Sequence, residues 1–195
     1  MVRLPGVVEE PDGFVYRPEF LSEDEERALV AAIGDFDFAE VRMRGQVARR
    51  TVRHFGYRYE YESWQLVPAD PIPASLSWLR DRAASLIAVE PEALAETLVT
   101  RYPASAGIGW HRDAPMFGPK VVGVSLLAAC TMRFQLRATG VRETWSVELE
   151  PRSAYVLAGA ARSAWQHSIP STKSLRYSIT FRTLAAGRRR AGVHA

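Results

Sequence analysis

Apolar positions recur with two different periods along the chain. One is helical and lies near the N-terminus; the other, close to two residues, dominates the rest. Ser22, Glu23, Asp24 and Glu25 form a capping box, with Ser22 as N-cap and Glu25 three residues on. Leu29, Val30 and Ile33 follow at helical spacing, and Gly34 ends the element. After the break at Pro71, Ile72 and Pro73, the stripe Leu76, Leu79, Ala83, Leu86 predicts a second helix over residues 74–88. A short third helix is expected around 92–95. Residues 1–20 read as extended and turn-rich. From 38 to 61 the text turns strand-like and aromatic, with basic residues interleaved. Short β-branched or aromatic runs at 97–102, 121–128, 132–136, 145–149, 154–157 and 177–183 are set off by Gly, Pro and Ser clusters and read as strands. The expected class is α+β, mainly β: a sandwich or double-sheet jelly roll, with the N-terminal helices packed on one outer face.

Length and composition narrow this without changing it. A chain of 195 residues builds one domain with a sizeable core. Apolar residues at 47% and charged residues at 24% are those of an ordinary globular protein. The single cysteine, Cys130, rules out an intrachain disulfide, and its apolar surroundings predict a buried, inert thiol. The first residues lack the apolar core of a secretory signal, and no stretch is long and apolar enough for a membrane helix, so a cytoplasmic monomer is expected. Residues 187–195 show no core-facing pattern and are expected to form a mobile basic tail to a single domain over 1–186. The net charge of +3 comes almost wholly from arginine, gathered at 42–58 and at Arg188, Arg189 and Arg190. Charge alone leaves two readings open, a polyanion partner or a solvated basic surface.

The candidate chemistry lies in two distant segments. His111 and Asp113 stand two residues apart, so at a strand end both side chains aim at one point. His167, after Trp165 and Gln166, adds a second imidazole. Two His and one carboxylate are the ligand set that holds non-heme Fe(II) on one face and leaves the other open. A closed structural zinc site would instead call for several cysteines. Each residue alone has a plainer reading: an isolated H-x-D is common by chance, and His167 by itself suits a satisfied core histidine. Arg176 and Arg182 are separated by an even number of residues and share one strand face with Ser178 and Thr180. Tyr177, Ile179 and Phe181 take the other face, which suits packing between sheets. Arginine is almost never buried without an anion, so two inward arginines predict a bound dianion or acidic partners; the alternative is that both snorkel outward from an edge strand.

At this point residues 97–184 resemble the AlkB-like Fe(II)/2-oxoglutarate dioxygenases. The anchors are Tyr102, the His111–Asp113 run, the Ser125–Leu126 strand, the segment ending at His167, and the run from Arg176 to Arg182. The resemblance implies a double-stranded β-helix (jelly-roll) core over 97–184, with 35–70 as the region leading into a substrate lid. It implies His111, Asp113 and His167 as ligands of Fe(II), and O2 as co-substrate. Arg176 matches the arginine that pairs with the distal carboxylate of 2-oxoglutarate, Arg182 the one near its metal-bound end, and Tyr102 a tyrosine that hydrogen-bonds it. Thr100 stands where the family often has Asn, and can still supply one hydrogen bond. Pro115 stands where some nucleic-acid repair members carry an acidic base-reading residue, so base preference does not transfer.

The implied reaction oxidises 2-oxoglutarate to succinate and CO2 while hydroxylating a nearby C–H bond. On an N-methyl group the product falls apart to formaldehyde and the free amine. The expected substrate is an N-alkylated base in DNA or RNA, exposed and sandwiched between flat groups. Tyr57, Tyr59, Tyr61 and Trp64, beside Arg49, Arg50, Arg53 and Arg58, suit stacking and phosphate contact. Trp110 is a further candidate for substrate contact. Two alternatives stand beside this. Tyr57, Tyr59 and Tyr61 could form one face of a packed hairpin, and the same chemistry could act on a protein side chain, a lipid or a small molecule. His54 reads as structural.

Overall fold

The computed structural model describes residues 9–43, 45–60, 65–138 and 141–185. Tyr61, Trp64 and the basic stretch at 187–195 lie outside the described residues.

Among the described residues, two main antiparallel sheets and two main helices build the domain. The large sheet takes seven strands in the order β1 (Phe14–Arg17), β11 (Ala154–Leu157), β8 (Phe117–Leu126), β13 (Arg176–Leu184), β6 (Leu94–Tyr102), β3 (Gln46–Phe55) and β2 (Ala39–Met43). The small sheet runs β10 (Val141–Leu149), β9 (Cys130–Ala138), β12 (Gln166–Ile169) and β7 (Ile108–His111). A separate two-stranded ribbon pairs β4 (Tyr57–Glu60) with β5 (Gln65–Pro68). The solution is the jelly-roll one: facing sheets with crossing connections. Three strands of the large sheet, β1, β2 and β3, come from before residue 94, so the N-terminal third supplies scaffold as well as helices.

Both main helices form where the periodicity places them. In α1 (Glu23–Gly34) the Ser22 hydroxyl accepts from the Glu25 amide at 3.2 Å, and the Ser22 amide donates to the Glu25 carboxylate at 2.9 Å. The same carboxylate receives both arms of Arg82, at 2.6 and 3.0 Å, which ties α1 to α2 (Ala74–Leu86). Leu29 and Ile33 of α1 and Leu76 and Leu79 of α2 are fully buried against the outer face of the large sheet, on Val122, Val124, Ile179 and Phe181. Each such side chain contributes ~1.5–3 kcal/mol of transfer free energy, which fixes the helices to that face. No helix among the described residues is long and apolar enough to cross a membrane.

Three expectations change. The third helix is a single 3-10 turn at Pro91–Ala93, and Leu94 already opens β6. The four-residue strands β1, β7 and β12, and a one-turn α3 (Gly159–Ser163), are too short to leave a readable period. Tyr177, Ile179 and Phe181 do not pack between the sheets: they face the helices, because α1 and α2 cover that side of β13. The polar face of β13 is therefore the one that looks into the space between the sheets. The inter-sheet core, with Phe14, Tyr102, Met132, Phe134, Leu157 and Trp165, fills only part of that space.

Candidate active site

The remainder is a cavity of about 1380 Å³ between the sheets. Ser178, Thr180 and Arg182 line it from β13, and Glu96, Leu98, Thr100 and Tyr102 from β6. In the antiparallel register Arg176 lies opposite Tyr102, Ser178 opposite Thr100, Thr180 opposite Leu98, and Arg182 opposite Glu96. Successive side chains alternate between faces, so β13 offers a polar row to the cavity and an apolar row to the helices, while β6 adds Glu96, Thr100 and Tyr102 to the polar wall.

His111, Asp113 and His167 meet at one end of this cavity. His167 lies directly across from His111 in the β12–β7 pairing. Their ring centroids are 4.2 Å apart. A β-bulge sets four residues of β7 (Ile108 to His111) against three of β12 (His167 to Ile169), so Ile108 and His111 both line the cavity despite their odd spacing. Asp113 sits just past the strand end, its Oδ2 3.8 Å from His167 Nε2. Among the described residues no three such side chains stand close enough to make a ready-made metal cage; the approach is pairwise.

The charges around the three are well defined. Burial is the main reason that His167 is pushed down to about 3, with the neighbouring His111 ring adding to it; burial lowers His111 as well. Both imidazoles are thus neutral near pH 7. Burial alone would raise Asp113, but Arg182 foremost, then the two histidines and Arg162, hold its carboxyl well below the usual range. Arg182 donates through Nε to Asp113 Oδ1 at 2.8 Å and through Nη1 to Glu96 Oε2 at 2.9 Å, and its Nη2 forms an ion pair with the same Oδ1 at 2.6 Å. His111 Nδ1 is 2.9 Å from the Gly109 carbonyl, which makes it the protonated nitrogen and leaves Nε2 a lone pair.

Arg176, at the other end of β13, is 0% exposed. Its Nη2 donates to Ser125 Oγ at 3.1 Å, and its guanidinium lies 4.9 Å from the centre of the Tyr102 ring. Nε and Nη1 are buried with no hydrogen-bond partner. Burial raises the phenols of both Tyr102 and Tyr155, so both remain protonated and able to donate. Tyr155 crosses Gly123 so closely that a β-carbon there would lie 2.2 Å from its ring, and glycine is what lets the phenol reach the cavity wall.

The substrate candidates separate. Tyr59 is buried and borders the cavity; Tyr57 packs with it and with Leu66 and Phe117, as a hairpin face would. Strand β3 turns Arg50, Val52 and His54 to the cavity and Arg53 away, onto Asp70 and the Phe55 ring. Trp110 is 37% exposed, lies under Arg142 and does not border the cavity. Cys130 is buried, and burial raises its thiol.

Two further residues of the site are not among those expected from sequence. Arg162 on α3 donates to the carbonyls of Asp113, Ala114 and Phe117 at 3.0–3.3 Å and so pins the loop that carries Asp113. Glu96 is readable in principle. It precedes Tyr102 by the same interval that separates Arg176 from Arg182, so an antiparallel pair that matches one couple must match the other.

At 28% identity the chain is similar to the mouse tRNA (carboxymethyluridine(34)-5-O)-methyltransferase ALKBH8, the match covering 84% of this chain and 25% of that protein. It is 26% identical to the Arabidopsis thaliana alkylated DNA repair protein ALKBH8 homolog, over 83% of this chain and 51% of that one. It is 25% identical to the uncharacterized protein L905 of Acanthamoeba polyphaga mimivirus, over 89% and 85%. The chain thus spans about a quarter to a half of the two named relatives. The solved structure of OsALKBH1 superposes with a TM-score of 0.65 over 90% of this chain and 98% of that one, at 19% identity, which shows a shared fold. Residues 13–182 match the family described as the 2OG-Fe(II) oxygenase superfamily. With that match spanning both sheets and every residue from His111 to Arg182, the chain belongs to the 2OG-Fe(II) oxygenase superfamily, as an AlkB-like dioxygenase.

Proposed function

We propose that this dioxygenase oxidatively demethylates N-alkylated bases in DNA or RNA. In this reading His111, Asp113 and His167 ligate iron, and Arg176 seats the distal carboxylate of 2-oxoglutarate. The observation that carries it is Arg176: a fully buried guanidinium with two unpartnered nitrogens. Such a group is costly to bury unless an anion completes it, and a carboxylate is the acceptor that its open N–H donors match. Arg176 lies behind the cavity wall: Tyr102, its cross-strand partner, borders the cavity together with Thr100, and Ser125 holds the guanidinium.

The superfamily implies Fe(II), 2-oxoglutarate and O2, and the residues present fit the metal. Both imidazoles are neutral, Asp113 is ionised, and Arg182 occupies only Oδ1, which leaves Oδ2 open toward His167. His167 Nδ1 is buried without a hydrogen-bond partner. Bound iron supplies the coupling of 2-oxoglutarate oxidation, to succinate and CO2, with insertion of one oxygen atom into a substrate C–H bond. The chain's own part is to hold and to exclude. Arg176 orients the co-substrate, Arg162 pins the ligand loop, and the inter-sheet core keeps water from the far end of the cavity. An N-hydroxymethyl product then breaks its C–N bond, giving formaldehyde and the free N–H.

For the substrate class, Arg42, Arg50, Arg58 and Arg112 stand around the mouth of the cavity beside Tyr59, which suits a phosphodiester and a flat base. The relatives named for tRNA and for alkylated DNA support the same class. The methyl transfer in the mouse protein's name is not carried over, since three quarters of that protein has no counterpart here. The test is release of succinate and formaldehyde over methylated single- and double-stranded DNA and RNA, with methylated peptides alongside. Release from peptides and from no oligonucleotide would overturn the substrate class. Unchanged 2-oxoglutarate turnover in His111→Ala would overturn the metal site.

A further inference from the structure

We propose that Glu96 is a positioning residue for the metal site, setting through Arg182 how Asp113 presents itself as a ligand. The proposal rests on the reading of Asp113 as an iron ligand. Glu96 is 0% exposed in the middle of the fold, a place where carboxylates are almost never found without a reason. Its cross-strand partner is Arg182, and the two are joined at 2.9 Å. The remaining arms of Arg182 both fall on one oxygen of Asp113. One guanidinium is therefore shared by two buried carboxylates, of which Asp113 is the one that approaches His167.

Sharing has a consequence for the ligand. An arginine whose only counter-ion were Asp113 would draw on that carboxylate alone and compete with a metal for its charge. Inside the fold such competition is strong, because little water screens it. Glu96 takes up part of the guanidinium's charge and fixes its plane. Arg182 then meets Asp113 only at Oδ1, and Oδ2 keeps its charge and its direction toward His167. Partners one step beyond a metal's ligands act in this way, orienting them and tuning their donor strength.

The second oxygen of Glu96 extends the arrangement. Oε1 has no hydrogen bond, and 3.4 Å away stands His54 Nδ1, also buried and without one. His54 belongs to β3 and lines the cavity. Removing His54 leaves the Arg182 arm intact, so it separates damage to the cavity wall from loss of the positioning contact.

The experiment is a titration of the apo-protein with Co(II), read by its visible absorption bands, with folding checked by circular dichroism and thermal melting. Glu96→Gln keeps the shape and a hydrogen-bond acceptor but removes the charge. It should weaken Co(II) affinity about 10–100-fold and shift the bands, as loss of such outer partners does. His54→Phe should weaken Co(II) binding clearly less than Glu96→Gln, since it leaves the Glu96–Arg182 ion pair in place. Should Glu96→Gln not fold, Glu96→Asp keeps the charge and shortens the reach; it should weaken binding less, with the same spectral shift. A folded Glu96 variant that binds Co(II) like the parent, with unchanged bands, overturns the proposal. So does a His54→Phe loss as large as that of Glu96→Gln. A parent that binds no Co(II) would instead sink the ligand assignment beneath it.

Discussion

Arg176 and Arg182 are the same side chain on the same face of the same strand, yet they live in opposite electrostatic situations. Arg182 is saturated: two carboxylates take its three donor nitrogens. Arg176 has one hydroxyl, one aromatic face and two nitrogens with nothing to donate to. Both are at most 8% exposed, so solvent does not explain the difference. The comparison teaches that a buried arginine is not by itself a binding site. The paired one stabilises the fold and shapes a ligand; the unpaired one raises the energy of the empty fold and lowers it again when a dianion arrives. The two are thus expected to respond in opposite ways to the same substitution.

The largest effect is expected at Arg182. Arg182→Met strands Glu96 and Asp113 as buried, uncompensated carboxylates, and should lower unfolding free energy by about 3–5 kcal/mol in urea denaturation of the apo-protein. A loss below about 1 kcal/mol would mean that the cluster is more hydrated than its burial suggests. Arg176→Met should do the reverse. Apo stability should hold or rise, because an unpaired buried charge is removed. The dissociation constant for 2-oxoglutarate should rise on the order of 100-fold, the worth of two charge-assisted hydrogen bonds of ~1.5 kcal/mol each. Calorimetric titration in the presence of Mn(II) reads the second effect, and a clear drop in apo melting temperature would erase the contrast.

The smallest effect calibrates how much burial matters. Arg82 grips Glu25 through both nitrogens much as Arg182 grips its acids, but the two side chains are 39% and 31% exposed. The Arg82 hydrogen bonds, then the Ser22 amide, bring Glu25 down from 4.5 to about 2. Since the folded value is the lower one, this stability is fully present above pH 4.5 and is lost as pH falls toward about 2. Solvent screening keeps it under about 1 kcal/mol. Glu25→Gln keeps the capping box, so the stability gap to the parent should be constant near neutrality and close by pH 2, as read by denaturation across pH. A gap that persists at pH 2 would assign the effect to packing instead.

Much of the fold and of the site is legible in the residue order alone. The capping box at Ser22, the stripe from Leu76 to Ala83 and the shared face of Arg176 and Arg182 are local periodicities, set by 3.6 residues per helical turn and two per strand repeat. Backbone geometry dictates these within one element, and they therefore survive in the text of the chain.

What the tertiary structure decided depends on which strands pair and what covers them. Periodicity says that Tyr177, Ile179 and Phe181 share a face; only the docking of α1 and α2 made that face the outer one and turned the arginines inward. Pairing register put Glu96 against Arg182, 86 residues away, and Tyr102 against Arg176, which divided one pair of arginines into a saturated and an open member. A bulge in β7 brought Ile108 in beside His111, and the choice of which β3 face meets the cavity put Arg50 there and Arg53 on the other side. Sheet register is a long-range property, settled by the burial of whole faces rather than by neighbours in sequence. For that reason the residue types of this site can be read along the chain, while the partner of each had to come from the fold.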